Sequence, residues 1–140
     1  MRYWDASALV PLVVREPDTA RRQTQLREDE EIVTWWATRV ECASAMNRLA
    51  RSREMTEEQL SVALRKLDTL AASWIEVLPS DRLRARAERL LRVHPLRAAD
   101  ALQLAACLSA CGETSAPLVF LCADERLRSA ADKEGLAVRD

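Results

Sequence analysis

The chain has 140 residues, which suits one domain and argues against a two-domain enzyme with its site in an interdomain cleft. Hydrophobic residues make up 49% and charged residues 31%, a globular balance that excludes a disordered chain and allows a real core without disulfide or zinc staples. Twenty-one Lys and Arg against 22 Asp and Glu leave a net charge of -1, so bulk electrostatics alone does not hold a nucleic acid, and any such role needs local patches and a specific site.

In chain order, Arg2 to Asp5 reads as a short buried strand ending on a carboxylate. The apolar run Ala6 to Val14 is far too short to span a bilayer, which needs ~18–20 residues. The charged Met1-Arg2-Tyr3-Trp4-Asp5 start does not resemble a signal peptide, so a cytoplasmic protein without a membrane role is expected. Pro17-Asp18 opens a polar helix through about Glu30, with Asp18 as its N-cap. Glu31 to Trp35 is a second strand signal. From Ala37 to Arg53, the residues Val40, Ala43, Met46, Leu49 and Ala50 recur at helical spacing. Thr56-Glu57-Glu58-Gln59 is a capping-box start for a helix carrying Leu60, Ala63, Leu64, Leu67, Ala71 and Trp74 on one face.

The second half alternates strand and helix. Trp74 to Leu78 reads as a strand stopped by Pro79, and Ser80 caps a helix with Leu83, Ala87, Leu90 and Leu91 that closes before Pro95. Ala98 to Cys111 is a nearly all-apolar helix that Gly112 is expected to end. Pro117 to Cys122 is an apolar strand, followed by a short helix from Asp124 and a last strand near Leu136 to Val138. The alternation predicts an α/β fold, a three-layer α/β/α sandwich with a mostly parallel central sheet, spanning residues 1–140 as one domain. Ligands of such sheets bind beyond the carboxyl ends of the strands, where Asp5 and Asp124 fall.

Four acids stand in apolar company: Asp5, Glu41, Asp100 and Asp124. An unpaired ionised carboxylate in such a setting costs several kcal/mol. Glu76, in the alternating strand Ile75-Glu76-Val77-Leu78, is explained more simply by pointing outward. If the four converge, a hard divalent ion, Mg²⁺ or Mn²⁺, suits an oxygen-only donor set, and the matching chemistry is metal-assisted phosphodiester hydrolysis. Alternatively, each acid is a helix cap or half of a buried ion pair, and composition alone leaves the two readings even. Cys42, Cys107, Cys111 and Cys122 lack metal-ligand spacing and read as buried thiols. The lone His94, before Pro95, reads as a helix-end residue and not a general base.

Four blocks together resemble the PIN domain and, within that family, the VapC-like toxins of bacterial toxin–antitoxin pairs. They are Tyr3-Trp4-Asp5-Ala6-Ser7-Ala8-Leu9-Val10; Arg39-Val40-Glu41-Cys42-Ala43-Ser44-Ala45; Leu96-Arg97-Ala98-Ala99-Asp100-Ala101-Leu102-Gln103-Leu104-Ala105; and Leu121-Cys122-Ala123-Asp124-Glu125-Arg126-Leu127 with Ala130-Ala131 and Gly135-Leu136-Ala137-Val138. The third is the most specific. The resemblance implies a Mg²⁺- or Mn²⁺-dependent endoribonuclease that cuts RNA, commonly tRNA or rRNA, is silenced by a cognate VapB-like antitoxin and forms a homodimer. It also implies an acidic site of Asp5, Glu41, Asp100 and Asp124, with Asp5 and Asp100 as principal metal ligands.

Two positions depart from the family pattern: Ala6 where a hydroxyl residue often follows the first Asp, leaving Ser7 as the nearest hydroxyl, and Cys122 where Thr or Ser often precedes the last acid by two residues. Both bear on support for a bound metal or water. Ser7 and Arg97 are candidates for supporting or substrate-contacting roles. Arg82, Arg86 and Arg89 share one helical stripe, with Arg84 and Arg92 nearby, and read as a solvated face before an RNA track. Trp35-Trp36 is a candidate antitoxin-binding ledge or core. The competing reading is a PIN-fold protein that binds a partner without cleaving RNA. An aspartyl-phosphate phosphatase is excluded, because Asp5-Ala6-Ser7 has no second Asp two residues after the nucleophile position.

Overall fold

Alternation along the short strands places successive side chains on opposite faces, and it builds two cores here. The structure, a computed structural model, describes residues 1–113 and 118–140. β1 (Arg2–Trp4), β2 (Ile32–Trp35), β3 (Ile75–Val77), β4 (Val119–Leu121) and β5 (Ala137–Arg139) form one sheet in the order β3-β2-β1-β4-β5. All four pairings are parallel, with Tyr3 opposite Val33 on one side and Phe120 on the other. In β1, Tyr3 points to the core beneath α5 (Asp81–Val93), α6 (Ala98–Glu113) and α7 (Glu125–Lys133). Trp4 points to the opposite core, against α1 (Ala6–Val13), α3 (Thr38–Arg51) and α4 (Glu57–Ala71). Phe120 and Leu121 of β4 divide in the same way. Each fully buried large side chain contributes ~1.5–3 kcal/mol of apolar transfer, so these four anchor both layers. The order in which strands are added reverses between β1 and β4, which leaves the crevice at their carboxyl ends as the expected ligand position.

The helices between strands mostly form where the sequence predicts. Thr56 makes its capping box with Gln59, and Ser80 caps α5 through the Leu83 N–H. α7 ends in a Schellman turn: Leu136 N–H reaches Ala131 C=O, and Gly135 takes the positive φ of 85° that the turn requires. α3 ends in the same turn, with Arg53 at φ 61° in the place where glycine is favoured.

Several expectations are corrected. The apolar run from Ala6, to which the sequence reading assigns no element, forms the helix α1 although Pro11 lies inside it, because Asp5 caps its first turn and its apolar face is buried against α3 and α4. Asp18 precedes α2 (Thr19–Glu28) but makes no side-chain cap, pairing instead with Arg21 at 2.9 Å. Val40 is 67% exposed, and the buried face of α3 runs through Cys42 and Met46. Trp74 stands before β3 and inserts into the α4 core, while Ile75, on this edge strand, is exposed. Gly112 does not end α6, which runs through Glu113. Of the expected strand from Pro117, Pro117 lies outside the described residues and β4 begins at Val119. Among the described residues, no helix is long and apolar enough to cross a membrane.

Candidate active site

Each of the four acids sits at a helix start. Asp5, directly after β1, caps α1 and accepts hydrogen bonds from the Ser7 N–H at 2.9 Å and from the Ser7 hydroxyl. Glu41 lies in the first turn of α3 after β2, and Asp100 lies in the first turn of α6 and accepts from the Arg97 backbone N–H at 3.2 Å. Asp124, after β4, caps α7 through the Leu127 N–H at 3.0 Å. Helix starts carry partial positive charge, which favours carboxylates there. Capping therefore accounts for Asp5 and Asp124, in line with the simpler reading of their sequence setting. It does not account for Glu41, whose carboxylate makes no cap.

The electrostatics tie three of the acids together. Burial raises Glu41 from an ordinary 4.5 to about 7; a hydrogen bond from Gln103 opposes this, and the charges of Asp5 and Asp100 add to it. Burial also raises Asp5, against the hydrogen bonds from Ser7 and Cys122. Among the described residues, no Lys, Arg or His forms an ion pair with any of the four. Nor does any group of three His, Cys, Asp or Glu side chains among them stand ready to cage a metal ion. Glu41 thus stands without a paired cation and feels the charges of Asp5 and Asp100.

The loop that carries Asp124 is tied to Asp5 through their neighbours. The Ser7 hydroxyl, bonded to Asp5, also accepts the Ala123 N–H at 2.9 Å, clamping the loop before α7 to the loop before α1. Cys122 Sγ lies 3.6 Å from Asp5 Oδ2, 3.6 Å from Ser7 Oγ and 3.6 Å from the Asp124 backbone oxygen. Burial and the Asp5 charge push this thiol well above its ordinary range, so it stays protonated and can donate to the carboxylate. Cys122 and Ser7 both donate to the same oxygen of Asp5, Oδ2. Arg97 meets Asp100 through its backbone.

Sequence reasoning missed Gln103. It is buried one helical turn after Asp100, and its amide donates to Glu41 Oε2 at 2.9 Å and to Thr38 Oγ1 at 3.0 Å while its oxygen accepts the Tyr3 hydroxyl at 2.9 Å. Thr38 also accepts from Thr34, whose hydroxyl reaches the Trp4 carbonyl. A lone amide inside a nearly all-apolar helix was the available signal, since a buried amide requires partners.

The remaining candidates are placed plainly. Trp35 is buried, whereas Trp36 is 52% exposed and packs edge-on to it at 6.4 Å. Arg84, Arg86 and Arg89 engage Asp81, Ser109 and Glu134. His94 caps the end of α5, buried, with Nε2 2.8 Å from Glu134. Cys42, Cys107 and Cys122 are buried thiols outside any disulfide, and Cys111 is a half-buried one. A groove of about 670 Å³ runs along the β3 edge past Ile75, Leu78, Arg82 and Arg86, and none of the four acids lines it.

A profile of the PIN domain matches residues 2–133. The chain belongs to the PIN domain family. The same PIN domain is 30% identical over 136 residues to Ribonuclease VapC45 and to Ribonuclease VapC49, from two Mycobacterium tuberculosis strains; the match covers 97% of this chain and 92% of each relative. Its fold is shared with PAE2754 from Pyrobaculum aerophilum, at a TM-score of 0.67 and 22% identity over 99% of this chain and 89% of that one. FitAcB from Neisseria gonorrhoeae superposes with a TM-score of 0.70 at 16% identity, covering 100% of this chain and 97% of the other.

Proposed function

We propose that this PIN domain, residues 1–140 taken as one unit, is a divalent-metal-dependent endoribonuclease of the VapC type, the toxin of a toxin–antitoxin pair. The observation that carries the reading is Glu41: a half-buried carboxylate raised to about 7 beside Asp5 and Asp100 with no cation against it. Burial is the main cost of ionising Glu41, the charges of Asp5 and Asp100 add to it, and a counter-charge would relieve both. The donor set consists of hard carboxylate oxygens, which fits Mg²⁺ or Mn²⁺ rather than a soft ion. Asp5 and Asp100 would be the principal ligands, with Glu41 and Asp124 completing the pocket directly or through waters. A bound ion there would supply a nucleophilic water at neutral pH and charge stabilisation for the phosphodiester.

The protein's own contribution is positional. Ser7 and the Cys122 thiol hold Asp5 in one orientation, and Gln103 holds Glu41. The four carboxylates would form the rim of the site, and the helix starts beneath Asp5 and Asp124 favour the ionised form of those two. The name ribonuclease carried by both relatives supports RNA as the substrate, and the VapC resemblance implies an antitoxin partner and a cytoplasmic setting. The exposed Trp36 offers an aromatic anchor for that antitoxin.

The test is RNA cleavage by antitoxin-free protein with Mg²⁺ or Mn²⁺, compared with Asp100→Asn and with excess chelator. Cleavage lost in both controls supports the site, and equal cleavage by Asp100→Asn rejects it. One observation favours the second reading, a PIN-fold binding partner without nuclease activity: no three donors among the described residues are gathered to cage an ion. Absence of cleavage together with absence of metal-induced stabilisation would select it.

A further inference from the structure

Two strands over from Asp5, at the end of β5, three arginines converge on a single carboxylate. Arg21 Nη1 meets Asp140 Oδ2 at 2.9 Å, and Arg21 Nη2 meets Oδ1 at 3.2 Å, the two-pronged geometry of a guanidinium on a planar oxyanion. Arg22 Nη2 reaches Oδ1 at 3.4 Å and Arg128 Nη1 reaches it at 2.9 Å. Arg128 also donates to the carbonyls of Cys122 and Ala123, at 2.9 and 3.2 Å, which fixes it against the Asp124 loop. Asp140 follows β5, and the β5 residue before it accepts the Cys122 N–H, so this site borders the carboxylate rim.

The trio is stronger than its partner requires. Arg21 divides its guanidinium between Asp140 and a second carboxylate, Asp18. Arg22 is fully buried, pairs its Nη1 with Gln25 Oε1 at 3.0 Å, and leaves its Nε without a partner. Burying a charge this incompletely paired is expensive as a mere clasp. Asp140 itself is held less firmly: its side chain is 47% exposed, and its backbone carbonyl is tied separately to Gln25 Nε2 at 2.9 Å, so the carboxylate can swing out while the strand stays. Arginine forks that accept a carboxylate accept a phosphate by the same two oxygens.

We propose that Arg21, Arg22 and Arg128 form a subsite for an RNA phosphate flanking the bond to be cut, and that the Asp140 carboxylate fills it as a displaceable stand-in when RNA is absent. The inference rests on the ribonuclease reading for its substrate, but its test needs no catalysis. A fluorescein-labelled, mixed-sequence single-stranded RNA oligonucleotide is titrated with protein in EDTA across a series of salt concentrations. Arg21→Ala is expected to weaken binding ~5–10-fold and to reduce the slope of log affinity against log salt by about one.

Asp140→Ala is expected to act in the opposite direction, tightening binding ~2–5-fold by removing the competing anion. Both substitutions delete the same ion pair but change the net charge in opposite directions, so Arg84→Ala and Asp81→Ala, which break an exposed ion pair on α5, measure the effect of charge alone; effects at Arg21 and Asp140 no larger than these, or of the same sign, overturn the subsite. Thermal unfolding of each variant checks that the fold persists. No RNA binding by the wild-type chain also overturns it. Binding with the expected opposite signs but no cleavage in Mn²⁺ leaves the subsite standing and removes only the nuclease reading.

Discussion

Glu41→Gln should make the metal-free protein more stable at pH 8, although it removes a charged group from the proposed active site. Folding raises Glu41 from 4.5 to about 7, chiefly by burial, and further by Asp5 and Asp100. At ~1.4 kcal/mol for each tenfold change in proton affinity, the ionised form costs about 3 kcal/mol at most, and solvent reaching this half-buried group reduces that to ~1–3 kcal/mol. The sign follows from proton counting. Between pH 4.5 and 7 the folded state holds more protons than the unfolded state, so stability falls as pH rises through that window and stays low above it. A glutamine keeps the oxygen that Gln103 contacts and carries no charge. In EDTA, thermal unfolding of the variant should lie roughly 4–12 °C above wild type at pH 8, at roughly 4 °C per kcal/mol for this size, and the two should converge near pH 4.5. A variant equal to or weaker than wild type at pH 8, or a difference that ignores pH, would show that the Glu41 charge carries no such penalty.

Gln103→Leu should leave Tyr3 and Glu41 without partners, cost ~2–3 kcal/mol in urea unfolding, and lower kcat for RNA with KM little changed; unchanged stability would contradict the buried network. Ser7→Ala should loosen the link between Asp5 and the Asp124 loop, costing ~1–2 kcal/mol and lowering kcat, measured by urea unfolding and steady-state cleavage. Arg53→Gly should stabilise the chain by ~0.5–1 kcal/mol, because Arg53 holds a left-handed φ of 61° at the end of α3 that glycine adopts without strain. A decrease in stability there would show that the Arg53 side chain does more than occupy the turn.

Much of this architecture is legible in the sequence because its signals are local. Thr56 with Gln59 marks one helix start, Ser80 marks another, and the short apolar segments around Tyr3 and Phe120 mark buried parallel strands. α1 escapes such reading because its apolar run matches a strand as well as a helix, and Pro11 argues against a helix that tertiary packing nonetheless enforces. The four acids stand out by their apolar neighbours, yet only the fold separates them. Asp5 and Asp124 have capping as a sufficient structural role, whereas Glu41 does not. Gln103 and the Arg21–Arg22–Arg128 trio are invisible in one dimension, because their partners lie as far as 100 and 119 residues away. Long-range pairing is what a sequence pattern encodes least directly.

Whether the carboxylate rim is a divalent-cation site can be measured without any RNA, by titrating Mn²⁺ into the antitoxin-free protein and counting bound ions from the loss of the free Mn²⁺ paramagnetic resonance signal. Wild type should bind saturably, and both Asp5→Asn and Asp100→Asn, still folded, should bind at least ~10-fold more weakly. Wild-type affinity retained in either variant would mean that the ion, if bound, sits elsewhere, and the rim would lose its proposed role.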